Sequence, residues 1–151
     1  MFYTFCYNIK NLGNFYNLYK DLMKFWNQKF PDNIYNLSYE NLILSGFSQG
    51  SMMSIYQGLI MPKKIAGIIS FSGKVVEPLT IGDAIISKPD ICLIHGTHDS
   101  VLPFANFDEA QKILNQYQIP FEAHAINHLD HTIDIRAVRI AQNFIKKITF
   151  A

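Results

Sequence analysis

Cysteine is scarce. Cys6 and Cys92 are the two in 151 residues, and they stand far apart. That excludes a disulfide framework and any zinc motif built on closely spaced cysteines. A surplus of charge is also missing, with 13 basic against 12 acidic residues. A strongly basic nucleic-acid binder and an acidic tail are both excluded by that balance. No apolar run approaches the ~18 residues that read as a membrane span. Met1 to Lys10 has neither a basic n-region nor a small-residue cleavage site, so no signal peptide is expected. Internal repeats and low-complexity linkers are absent. The expectation is a cytoplasmic protein of one domain, 1–151.

What is present suffices to fold: 49% of residues are apolar and 17% charged, too apolar for a disordered chain. From Asn11 to Gln28, Leu12, Phe15, Leu18, Tyr19, Leu22 and Phe25 or Trp26 recur at three and four, which predicts a helix ended by Phe30-Pro31-Asp32. Asn41 to Gly46 is apolar on both faces and suits a buried parallel strand. A helix follows over Gln49 to Met61, stopped by Pro62, then a second buried strand over Ile65 to Phe71. Gly73 to Pro89 reads as a loop that either covers the sheet or walls a pocket, because Leu79, Ile81, Ile85 and Ile86 make it unusually apolar. Strands are expected over Ile91 to His95 and Phe121 to Asn127, and helices over Phe104 to Gln118 and Ile135 to Ile148. Met1 to Tyr7 is β-prone, an extra strand or a frayed end. Alternating strands and helices argue for an α/β protein: a mostly parallel sheet of about four strands with helices on both faces.

The chemistry sits at three junctions. Gly46-Phe47-Ser48-Gln49-Gly50 fits G-x-S-x-G, weak alone but placed where a strand ends and a helix begins. There a sharp turn lifts the serine hydroxyl above the sheet edge. The residues two before and two after Ser48 approach each other, which predicts that only glycine fits at 46 and 50. The helix start aims its positive end and the Gln49 N–H at a developing oxyanion. The plainer alternative is a glycine-rich turn with a capping serine. A serine nucleophile needs a base, and the base an orienting acid. Asp99 follows the third strand; His128 and His131 follow the fourth, in the order such sites require. Asp90 precedes a strand and so sits at the wrong end. Asp130 adjoins His131, and neighbouring side chains diverge. Asp134 reads as a charge at a helix start. His124, His128 and His131 do not share a helix face, so a metal site is not expected. Cys92 reads as an inert buried thiol, Met52 and Met53 as core more than acyl contacts, Trp26 as core or groove wall, His95 as packed at a strand end near the acid, and His98 as a solvent-facing turn residue.

GFSQGSMMS, HGTHDSVLPF and HLDHTID resemble three signature blocks of the phospholipase/carboxylesterase family of α/β hydrolases, which includes acyl-protein thioesterases and bacterial carboxylesterases. The resemblance covers roughly residues 38 to 148. It implies Ser48 as nucleophile, Asp99 as acid and His131 as base, with the Gln49 N–H in the oxyanion hole and no metal or organic cofactor; Phe47 and Met52 flank the nucleophile and are the candidate substrate contacts. Leu102 replaces the second Val of the H-G-x-x-D-x-V-V-P block, and Asp130 replaces the Gly before the base. The implied substrate is a small ester, thioester or lysolipid. The resemblance also implies earlier strands and an L-H-G-x-G-type loop that gives a second oxyanion donor. No such segment stands among the 47 residues before Ser48, so the sequence looks like the C-terminal two-thirds of a family member. A catalytically impaired remnant or subunit is the alternative reading, and a peptidase-like or dienelactone-type hydrolase a third. Without the preceding strand, strand 41–46 becomes a sheet edge, which residues 1–7, a second copy in a homodimer or a separately encoded N-terminal chain would cover.

Overall fold

The computed structural model describes the backbone of residues 9–31, 37–76 and 84–149, and the side chains from residue 17 onward within those ranges. The chain divides into two compact units, Met1–Leu37 and Ser38–Ala151. The β-prone Met1 to Tyr7, read as an extra strand or a frayed end, lies outside the described residues, as does the middle of the 73–89 loop with Leu79 and Ile81.

In the first unit the three-and-four spacing forms helix α1, Ile9–Lys29. Leu18, Tyr19, Leu22 and Phe25 on its apolar stripe are exposed. Trp26, expected as core or groove wall, is not in the core. It is 40% exposed and stacks on Phe30 at 5.6 Å, with Phe25 edge-on at 5.2 Å.

In the second unit, strands β1 (Ile43–Phe47), β2 (Gly67–Phe71), β3 (Asp90–Gly96) and β4 (Phe121–Ile126) form one sheet in the order β1-β2-β3-β4. Every pairing is parallel. Helix α2 (Gln49–Ile60) crosses from β1 to β2 and α3 (Ala105–Gln116) from β3 to β4, while α4 (Ile135–Thr149) follows the last strand and packs back on the sheet. The two faces have separate cores. Ile68, Ile91 and Leu93 meet Ile55 and Leu59 of α2 and Phe107, Ala110, Ile113 and Leu114 of α3 on one side. The alternate residues Ile69, Cys92 and Ile94 meet Ala137, Ala141 and Phe144 of α4 on the other. Strand side chains alternate between faces, so the continuous apolar runs of β2 and β3 feed both cores.

β1, apolar enough for burial on both faces, stands at the sheet edge expected for it when no earlier strand pairs with it. Its Ile43 and Leu44 are half-buried and Ser45 is exposed, because β2 is its one neighbour among the described residues. The far end of the 73–89 loop closes on α2: the Ile86 and Ser87 amides donate to the Leu59 carbonyl, and Ser87 Oγ to that of Gly58.

Candidate active site

The C-terminal ends of β1, β3 and β4 carry the three expected groups. Ser48 lies between β1 and α2 with φ 54° and ψ −118°, a conformation that L-residues rarely adopt. Such a backbone costs about 1–3 kcal/mol and persists only where its surroundings over-determine it. Here the Ser48 N–H donates to the Phe71 carbonyl at 2.9 Å, tying the turn to β2, while the Met52 N–H donates to the Ser48 carbonyl and starts α2. A Cβ on Gly46 would lie 2.2 Å from the Gly50 backbone, so the turn closes only on glycine there. The matching expectation for Gly50 is corrected: a Cβ at position 50 meets nothing within 4 Å. The approach is one-sided, because Gly46 aims its missing side chain at the helix backbone and Gly50 aims its own at solvent.

A second close approach assembles the other two groups. A Cβ on Gly96 would lie 2.2 Å from the Leu129 carbonyl oxygen. With glycine there, the 127–131 loop descends onto the end of β3, where the His98 N–H donates to the Leu129 carbonyl and the Thr97 N–H to that of Ile126. Asp99 is then buried, and its Oδ2 accepts from His131 Nδ1 at 2.8 Å. Its Oδ1 accepts from the Val101 and Leu102 amides at 3.0 and 2.7 Å. Burial pushes this carboxyl up, but the bonds from His131, Leu102 and Val101 outweigh it and hold Asp99 below its ordinary range. An ionised Asp99 only accepts, so Nδ1 of His131 carries the proton and Nε2 is left as the basic nitrogen.

Of the two candidate histidines, His131 contacts Asp99, while the His128 ring packs on His98 at 4.8 Å. His98 is exposed in its turn, as expected. His95 is buried; its Nε2–H donates to the Leu102 carbonyl at 2.9 Å and lies 3.4 Å from Asp99 Oδ2. Asp90 pairs with Lys64 at 3.2 Å, and Asp134 caps α4 by accepting from the Arg136 and Ala137 amides.

Asp130 does more than its sequence context indicates. Its Oδ1 accepts from the Ser100 amide and hydroxyl, both at 2.8 Å, and from the His131 amide at 2.7 Å. It thereby staples the loop of the base to the loop of the acid. No spacing signals this, since the partners lie thirty residues apart.

Phe47 stands over His131, ring centroids 4.6 Å apart. Met53 is not core: it is exposed, and with Met52, Tyr56 and Val76 it lines a shallow apolar cavity of about 280 Å³ on α2.

A parallel sheet whose strand-to-helix turn holds a strained serine, with an Asp–His pair at neighbouring strand ends, has the architecture of an α/β hydrolase. Solved structures agree. The crystal structure of esterase PE8 superposes with a TM-score of 0.71 at 35% identity, over 84% of this chain and 56% of that one. SOBER1 of Arabidopsis thaliana gives 0.71 at 24% identity, over 85% of this chain and 61% of that one, a likeness of fold. The phospholipase/carboxylesterase family model matches residues 10–149, and the chain belongs to that family. Acyl-protein thioesterase 1 of Schizosaccharomyces pombe is 32% identical over 57% of this chain and 42% of its own length. Its namesake in Eremothecium gossypii is 30% identical over 73% of this chain and 48% of its own length. The chain thus spans about half the length of these curated relatives.

Proposed function

We propose that the chain is a serine hydrolase that cleaves carboxylic ester or thioester bonds through Ser48, His131 and Asp99. The observation that carries this reading is the 2.8 Å bond from His131 Nδ1 to a buried Asp99, with the ring of Phe47, the neighbour of a serine held at φ 54° on a strand-to-helix turn, 4.6 Å from that of His131. Ser48 Oγ attacks the carbonyl carbon while His131 Nε2 takes its proton. Asp99 keeps the imidazole in one tautomer and stabilises the imidazolium. The Gln49 N–H, in the first turn of α2 where amides have no intrahelical acceptor, donates to the oxyanion. His131 returns the proton to the leaving alcohol or thiol. Water, deprotonated by the same nitrogen, then releases the acid. Phe47 and Met52 border the serine and contact the acyl group. Removing one oxyanion donor typically costs about 10²–10³ in rate, so turnover by the chain alone depends on a second donor.

The test is fluorophosphonate labelling of the purified chain, with Ser48→Ala and His131→Ala as controls. Labelling that requires both residues supports the mechanism. A folded chain that does not label, or that labels in Ser48→Ala, refutes it.

A further inference from the structure

On the face of the sheet that packs against α4, the parallel register sets Cys92 of β3 directly beside Glu122 of β4. His124 lies two residues further along β4 and therefore on the same face. The Cys92 thiol, a Glu122 carboxylate oxygen and a His124 ring nitrogen all lie within 4.8 Å of one another. We propose that these three side chains form a binding site for a zinc-class divalent cation, separate from the serine site.

Thiolate, imidazole and carboxylate are the donor types that zinc takes, and three protein ligands leave a fourth position for water. Metal–ligand bonds of about 2.0–2.3 Å require the donors to draw together by up to about an ångström, within reach of the Glu122 and His124 side-chain torsions. Cys92 is fully buried, whereas His124 and Glu122 are half-exposed, so the ion enters from the β4 side. Glu122 already holds a cation: the Lys147 ammonium sits 2.9 Å from its Oε2, and His124 Nε2 lies 3.1 Å from Oε1. Lys147 extends from the last turn of α4 with its side chain 67% exposed, and it swings into water when the ion replaces it. On binding, the Cys92 S–H bond breaks, its proton passes to solvent, and a sulfur–metal bond forms.

The consequence reaches the strand ends. β3 leads to Asp99 and β4 leads to His131. An ion bridging Cys92 to β4 adds a tie between the two strands that carry this pair.

The probe is cobalt(II), which develops thiolate-to-metal charge-transfer absorption when a cysteine ligates it. The full chain is used in a Cys6→Ser background, so that Cys92 is the only thiol. The expected result is 1:1 binding with that absorption, discharged by zinc. His124→Ala is expected to weaken binding by about tenfold to a hundredfold or more, and Cys92→Ser to abolish the band. Circular dichroism confirms folding, and the half-exposed His124 keeps the test decisive if Cys92→Ser unfolds. Absence of the band, its survival in Cys92→Ser, or unchanged affinity in His124→Ala each overturns the proposal.

Discussion

Replacing Gly46 and Gly50 by alanine, one at a time, separates two turns of reasoning that look alike in sequence. A Cβ at position 46 lies 2.2 Å from both the carbonyl carbon and oxygen of Gly50, and 2.5 Å from the Ser51 nitrogen. Ordinary contact begins near 3.4 Å, so the first turn of α2 must retreat by more than an ångström. Overpacking a well-filled site costs about 1–3 kcal/mol when side chains can give way. Here backbone meets backbone, so about 3 kcal/mol or more is expected, a large share of a total of about 5–15 kcal/mol. The same displacement moves Ser48 and the Gln49 amide, and a misplacement of about 1 Å can cost about 10²-fold in rate. Gly50→Ala has open space around its new methyl. It removes a helical glycine and should stabilise by about 0.5–1 kcal/mol. Urea unfolding midpoints give the stability difference, and the rate of fluorophosphonate labelling gives the displacement. Gly46→Ala matching the parent on both, or Gly50→Ala damaging the chain as much as Gly46→Ala, refutes this account of the turn.

Asp99→Asn is expected to lower labelling and ester turnover by about 10⁴-fold while the fold survives, because the amide no longer fixes the Nδ1–H tautomer of His131; steady-state kinetics with circular dichroism reads both. Asp99 has a folded pKa below its unfolded value, so it contributes stability that is fully present above about pH 4 and is lost as pH falls through the lowered folded value. Unfolding measured from pH 5 downward should therefore show an acid-side loss that is smaller in Asp99→Asn. Asp130→Ala removes the acceptor of three hydrogen bonds between two loops; labelling should slow with little change in unfolding midpoint, since Asp130 lies at the surface. Leu114→Ala empties a fully buried position between α3 and the sheet and should destabilise by about 2–5 kcal/mol, measured by urea titration.

The element order was legible because burial on both faces leaves a strong mark on short strands. β2 and β3 are continuous apolar runs, and helical spacing marks α1, α3 and α4. The serine turn and the Asp99 loop were legible because both sit at strand ends, where alternation of elements already predicts active groups. Two placements were not. Met53 reads as core and Trp26 as core or groove wall because hydrophobicity reports what a side chain tolerates, not what covers it; both are exposed. β1 reads as doubly buried for the same reason, yet whether an apolar strand is enclosed depends on its neighbours.

The sequence by itself determined the fold class, the candidate serine and acid, and His131 over His128 as the candidate base. These rest on local patterns: periodicity, turn residues and the position of polar groups after strands. Tertiary structure alone decided the rest. It set the ring of His131, the base that the family resemblance already implied, against Asp99 through the descent of the 127–131 loop past Gly96. It made Asp130 a staple across thirty residues. It showed that Gly46 needs to be glycine and Gly50 does not. It brought Cys92 beside Glu122 and His124 through strand register. Each depends on a distance between segments remote in sequence, and such distances are set by how the elements pack.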